Sequence, residues 1–70
     1  MIHFGKTLKI VQEMQGVKSS ELARRLSVSR SQLSRWRSQP QASLGLVEKL
    51  CEALEYDPLE FIKVGRNDLQ

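Results

Sequence analysis

Arg30, Ser31, Ser34 and Arg35 stand one, three and four residues apart, spacings that gather them on one side of a helix. A guanidinium there can donate paired hydrogen bonds to guanine O6 and N7 in the major groove of a B-form duplex, or clasp a phosphate. Arg30 and Arg35 are therefore the leading candidates for base reading. Ser31 and Ser34 both donate and accept, so the base they would prefer stays open. Gln32 could contact a base or bond back to Ser29 in a capping box. The other side of the same segment carries Leu33 and Trp36 one turn apart. Trp36 could stack on a base, but its phase puts it with the core.

Charge distribution frames that stripe. The chain has 70 residues, with 11 Lys or Arg against 8 Asp or Glu, a formal charge of +3. Residues 18–38 hold Lys18, Arg24, Arg25, Arg30, Arg35 and Arg37 against Glu21, whereas residues 39–70 hold six acids and three bases. A basic middle beside an acidic tail suits a face that meets a polyanion, although a charge cluster is equally the ordinary solvated side of a helix. One of Arg24 and Arg25 is expected to face phosphate and the other only water. Other chemistries find little to work with. Cys51 falls in an apolar stripe and reads as an inert core thiol. His3 lies near the terminus without a partner at any metal-ligand spacing, so no metal and no cofactor is expected. A nucleophile–base pair and a glycine-rich phosphate loop are both missing, and the chain does not read as an enzyme.

Helices must position these residues, and no strand pattern competes. Phe4, Leu8, Val11 and Met14 recur at helical spacing to about Gln15, and Gly16 ends that segment. Ser19–Leu26 forms a short second helix with Leu22, Ala23 and Leu26 on one side. Ser29 caps a third, which Pro40 closes, and 39–42 is a loop. Ser43 caps a fourth with the inner stripe Leu44, Val47, Leu50, Cys51 and Leu54. Asp57-Pro58-Leu59-Glu60 sets out a cap, a first-turn proline and a reciprocal acid for the fifth, whose apolar side is Leu59, Phe61 and Ile62. Residues 65–70 read as a frayed tail and about 3–64 as ordered. The whole is a single all-α domain of five helices spanning 1–70. Its apolar runs are too short for a membrane span, and Lys6 and Lys9 follow Met1 too soon for a signal peptide. A cytoplasmic location is expected.

Two helices joined only by Ser27-Val28-Ser29, with Ala23 small at their crossing, make a helix-turn-helix at about 19–37. With Gly16-Val17, Glu21-Leu22-Ala23, Leu26 to Ser31, Leu33-Ser34-Arg35-Trp36 and the closing Leu54…Asp57-Pro58-Leu59, the chain resembles the lambda-repressor-like, or Cro-type, helix-turn-helix family of phage and bacterial DNA-binding regulators over residues 4–63. The resemblance implies that Arg30, Ser31 and Arg35 occupy base-contacting positions and that Ser19 sits where the second helix points its amino end at a phosphate. Free amides and the helix dipole suit an anion there. Lys18, Arg37, Ser38, Gln39 and Gln41 are further phosphate candidates, each equally readable as an exposed polar residue.

Three positions depart from the family pattern. Ser27 replaces a common Gly in the exit of the second helix, where it would need a left-handed backbone. Lys18 replaces the usual Ser or Thr cap, so Ser19 takes over or the cap is lost. Gln12 and Arg37 replace an Arg–Glu pair, and Arg37 is expected to turn outward, to a phosphate or to Glu13.

The resemblance implies sequence-specific binding of double-stranded DNA by a small transcriptional regulator, with repression the default. A module this small buries little surface, so a homodimer on a palindromic operator is expected, with Phe61 or Ile62 as an apolar dimer contact. The rival readings are a protein-interaction module, such as an antitoxin or a regulator's partner, and a non-specific nucleic-acid binder. None calls for a membrane or a small-molecule substrate.

Overall fold

Phe4–Met14 form α1, Ser19–Leu26 α2, Arg30–Ser38 α3, Leu44–Leu54 α4 and Pro58–Asp68 α5 in the computed structural model, which describes residues 2–68. The capping residues read from the sequence are in place, although Glu60 pairs with Lys63 and makes no return bond to Asp57. Ser29 Oγ accepts from the Gln32 amide at 3.1 Å, Ser43 Oγ from Leu46 at 3.2 Å, and Asp57 Oδ1 from Leu59 at 2.7 Å. α1 is capped by a residue that the sequence reading left idle: His3 Nδ1 accepts from the Lys6 amide at 3.2 Å. α2 has no side-chain cap, because Lys18 stands at the cap position.

The core is shared by all five helices. Phe4, Leu8 and Val11 of α1 meet Leu22, Ala23 and Leu26 of α2, Leu33 of α3, Leu50, Cys51 and Leu54 of α4, and Phe61 of α5. α1 lies between α3 and α5, while α2 packs on α3 and α4. Two glycines allow these approaches. A Cβ on Gly5 would collide with the Arg37 carbonyl, and one on Gly65 would sit 2.6 Å from Thr7 Oγ1. The amides that open α1 are satisfied by the loop that ends α3: Phe4 N–H donates to the Pro40 carbonyl at 2.9 Å and Gly5 N–H to that of Gln39 at 2.7 Å. α1 is thereby latched to the end of α3.

Several expectations are corrected. α5 does not fray at Gly65; it continues through Asp68 because Gly65 is the residue that lets α5 close on Thr7 and Ile2. The rest of the expected tail, residues 69 and 70, lies outside the described residues. Phe61 is fully buried, its ring 6.1 Å from that of Phe4, so it is a core residue and not a dimer contact. Leu44, read as inward, and Met14 and Leu59, counted with the apolar residues of their helices, are more than half exposed. Each stands in the first or last turn of its helix, where no neighbouring helix extends far enough to cover it. None of the described helices is long and apolar enough to cross a membrane.

Candidate nucleic-acid interface

Leu33 is buried and Trp36 packs partly buried against the core, which fixes the rotation of α3. The opposite side is then free: Arg30, Ser31, Ser34 and Arg35 are all exposed. Neither Arg30 nor Arg35 forms an ion pair among the described residues, where the acid–base pairs are Glu21 with Arg24 and Arg25, and Glu60 with Lys63. The four side chains that the sequence grouped by spacing therefore share one open, unneutralised face. Gln32 forms half of a capping box: its amide is bonded by Ser29, while its side chain makes no return bond and stays half-buried at the edge of that face.

Beside this face, α1, α2 and α3 meet at a polar junction. Ser19 Oγ accepts from Gln12 Nε2 at 3.1 Å and from Arg37 Nη1 at 2.9 Å. Arg37 is thus not turned fully outward or toward Glu13; it lies half-buried along the junction, with its Nε enclosed and unpaired. Among the described residues no acid forms an ion pair with it. The side chain is held there by its bond to Ser19, and the Arg37 backbone is held close to α1 by Gly5. Two solvent-open depressions flank the guanidinium. One, of about 360 Å3, is lined by Ser19, Arg30, Ser31, Leu33, Ser34 and Arg37. The other, of about 300 Å3, is lined by Lys9, Ser34, Arg37 and Ser38. Lys9 was missed in the sequence, though a signal existed: it stands four residues after Gly5, so both lie on the side of α1 that meets α3.

Other candidates separate into free and occupied groups. Lys18 and Gln41 are exposed. Ser38 spends its hydroxyl on its own helix, donating to the Arg35 carbonyl at 2.9 Å. Gln39 Nε2 donates to the Gln41 carbonyl at 3.2 Å, which holds the loop after α3 in shape. Neither Arg24 nor Arg25 is merely solvated. Both pair with Glu21, and Arg25 Nη1 also donates to the Ala53 carbonyl at 2.8 Å, tying α2 to the end of α4. The hydrogen bond from Arg24 holds the Glu21 carboxyl below the usual range. Ile62 is half-exposed and lies outside the core cluster, on α5 with exposed Leu59.

Residues 7–64 match the model of the Cro/C1-type HTH DNA-binding domain. No curated protein matches the sequence significantly. Among solved structures, the clp gene regulator ClgR from C. glutamicum is similar in fold, with a TM-score of 0.84 at 24% identity over 96% of this chain and 88% of that one. The restriction-modification controller protein C.AhdI from Aeromonas hydrophila is similar with a TM-score of 0.68 at 29% identity, over 83% of this chain and 89% of that one.

Proposed function

This chain belongs to the family of Cro/C1-type HTH DNA-binding domains, and from that premise we propose that it is a sequence-specific transcriptional repressor of phage or mobile-element type, acting in the bacterial cytoplasm or nucleoid as a dimer on a palindromic operator. One observation carries the reading: Arg30 and Arg35 stand exposed and without ion-pair partners on the outward face of a helix whose inward face is locked by Leu33 and Trp36. Desolvating two unpaired guanidinium groups is costly unless acceptors replace the water, and guanine edges supply acceptors in pairs. Ser31, Ser34 and Gln32 complete the base-facing set. Lys18, Ser19, Arg37, Ser38, Gln39 and Gln41 border it and hold phosphates, Ser38 and Gln39 chiefly by shaping the loop after α3. Repression follows from occupancy alone, since a tightly bound protein excludes polymerase without any further contact surface.

Selection of bound duplexes from a random pool, at rising salt, tests the proposal. The expected result is one preferred site with two-fold symmetry, retained while overall affinity falls steeply with salt. Recovery of no preferred duplex refutes sequence-specific binding, and a preferred site without symmetry refutes the dimer.

A further inference from the structure

The outward face of α3 has a small vocabulary for bases. Its exposed side chains are Arg30, Ser31, Ser34 and Arg35, with half-buried Gln32 at the edge. Leu33 and Trp36, the apolar side chains of α3, pack toward the core, so none is left for a thymine methyl. The helix has no Asp, Glu or Asn, so no carboxylate accepts from cytosine N4 and Gln32 is the one amide able to grip adenine. Guanine is therefore the base this face addresses with paired bonds, and it can do so twice.

Helix geometry then places the two arginines. At about 100° per residue, Ser34, Ser31 and Arg35 lie about 40°, 100° and 140° round from Arg30. The arginines form the two edges of the face, and the serines lie between them. Along the axis they are offset by about 7.5 Å, a little over two base-pair steps of about 3.4 Å. A helix lying along the major groove turns one edge to each strand, and a guanine presents N7 and O6 on its own strand's side of that groove.

We propose that the half-site read by α3 holds two G·C pairs with their guanines on opposite strands, separated by one or two base pairs, Arg30 taking one guanine and Arg35 the other. This rests on the duplex-binding function proposed above and adds the pattern of what is bound. Ser31 and Ser34, which both donate and accept, face the intervening pairs and tolerate any base there.

The duplex that the full chain selects from a random pool gives the first reading, and the pattern should appear once per bound copy. Both guanines on one strand, or fewer than two G·C pairs, overturn the inference. A second reading uses wild-type protein on altered duplexes, so it does not depend on a variant folding. 7-Deazaguanine lacks the N7 acceptor and keeps its base pairing. At either guanine it should weaken binding about tenfold, through loss of one of the two bonds to an arginine. Inosine lacks only the amino group that guanine shows in the minor groove, and it should bind as guanine does. No loss with 7-deazaguanine, or an equal loss with inosine, overturns the major-groove assignment. Arg30→Ala and Arg35→Ala, both at exposed positions, divide the two guanines. Each variant should become indifferent to 7-deazaguanine at one position and keep the tenfold loss at the other. A variant that keeps both losses while binding every duplex more weakly has lost a phosphate contact, and that result also overturns the pattern. A preferred duplex without the pattern sinks this inference alone; no preferred duplex at all sinks the proposed function on which it stands.

Discussion

Arg35 can be cut back without disturbing the core, since it is exposed and bonded to nothing through its side chain. Arg35→Ala should therefore leave the melting curve unchanged and weaken binding to the selected duplex by about 1–3 kcal/mol. Binding to duplexes altered one base pair at a time separates two roles. If the loss is confined to one position, Arg35 reads a base; if all sequences lose equally, it holds a phosphate. Cys51 supports a prediction of a different kind. Burial, with a smaller contribution from the negative Asp57, pushes its thiol from 9.0 to about 11. In the unfolded chain the proton leaves first, so ionisation favours the unfolded state only above the ordinary thiol value. Stability should be untouched by this group below pH 9.0 and should decline from there toward about 11. Urea unfolding of wild type and Cys51→Ala across that range checks it: the variant, less stable throughout because of its cavity, should lack this added decline. A parallel fall in both chains would assign the decline to other groups.

At the scale of the helix, the exits are where this sequence departs from the easiest solution. Ser27 leaves α2 at φ 56° and Glu55 leaves α4 at φ 54°, both left-handed and neither a glycine. Ser27→Gly and Glu55→Gly should each raise stability by about 1 kcal/mol, less the entropy a glycine adds to the unfolded chain. Chemical denaturation reads the shift in midpoint, and a lowered midpoint would mean that the side chains contribute more than the strain costs. Gly5→Ala should act in the other direction. Its methyl would collide with the Arg37 carbonyl, so α1 must lift from the end of α3, for a loss of about 1–3 kcal/mol and a weaker hold on DNA through the displaced α3. The exits and starts show why some of this fold was legible and some was not. Ser29, Ser43, Asp57 and Pro58 announce helix starts through bonds made within a few residues, and Gly16 announces an exit in the same way, so local chemistry sufficed. The exposed stripe Arg30, Ser31, Ser34 and Arg35 was legible too, because Leu33 and Trp36 fix the phase of α3. Leu44 was misread because whether a first-turn residue is covered depends on where another helix stops. Gly65 signalled a break, yet its meaning was a close approach to Thr7, a contact 58 residues away along the chain. Arg37 was open in the same sense: a long side chain can lie in or out, and its bond to Ser19 on another helix decides.

The whole molecule measures 30 × 20 × 20 Å, while successive major grooves on one face of a duplex lie about 34 Å apart. One copy can therefore present α3 to a single groove segment, and reading a longer site requires a second copy. For the proposed dimer, α5 offers an exposed apolar pair: Leu59 is 69% exposed and Ile62 is half-exposed outside the core, whereas Phe61 between them is buried. Residues 52–66 carry the exposed acids Glu52, Glu55, Asp57 and Glu60 against exposed Lys63 and Arg66, with Glu60 paired to Lys63, a net negative stretch that attracts a polyanion less than α3 does. Replacing Ile62 and Leu59 together with Asp should leave the fold intact, since neither is part of the buried core, and should abolish self-association in sedimentation. The effect on DNA follows from counting phosphates. Affinity falls with salt at about 0.9 log units per neutralised phosphate per log unit of salt, so a protein bound as one copy should show about half the slope of a protein bound as two. The double variant should therefore bind a half-site with that halved slope and lose its preference for a symmetric duplex. If the variant keeps the full slope and the symmetry, the two copies meet through some other surface, and if wild type itself shows the halved slope, a single copy is the binding unit.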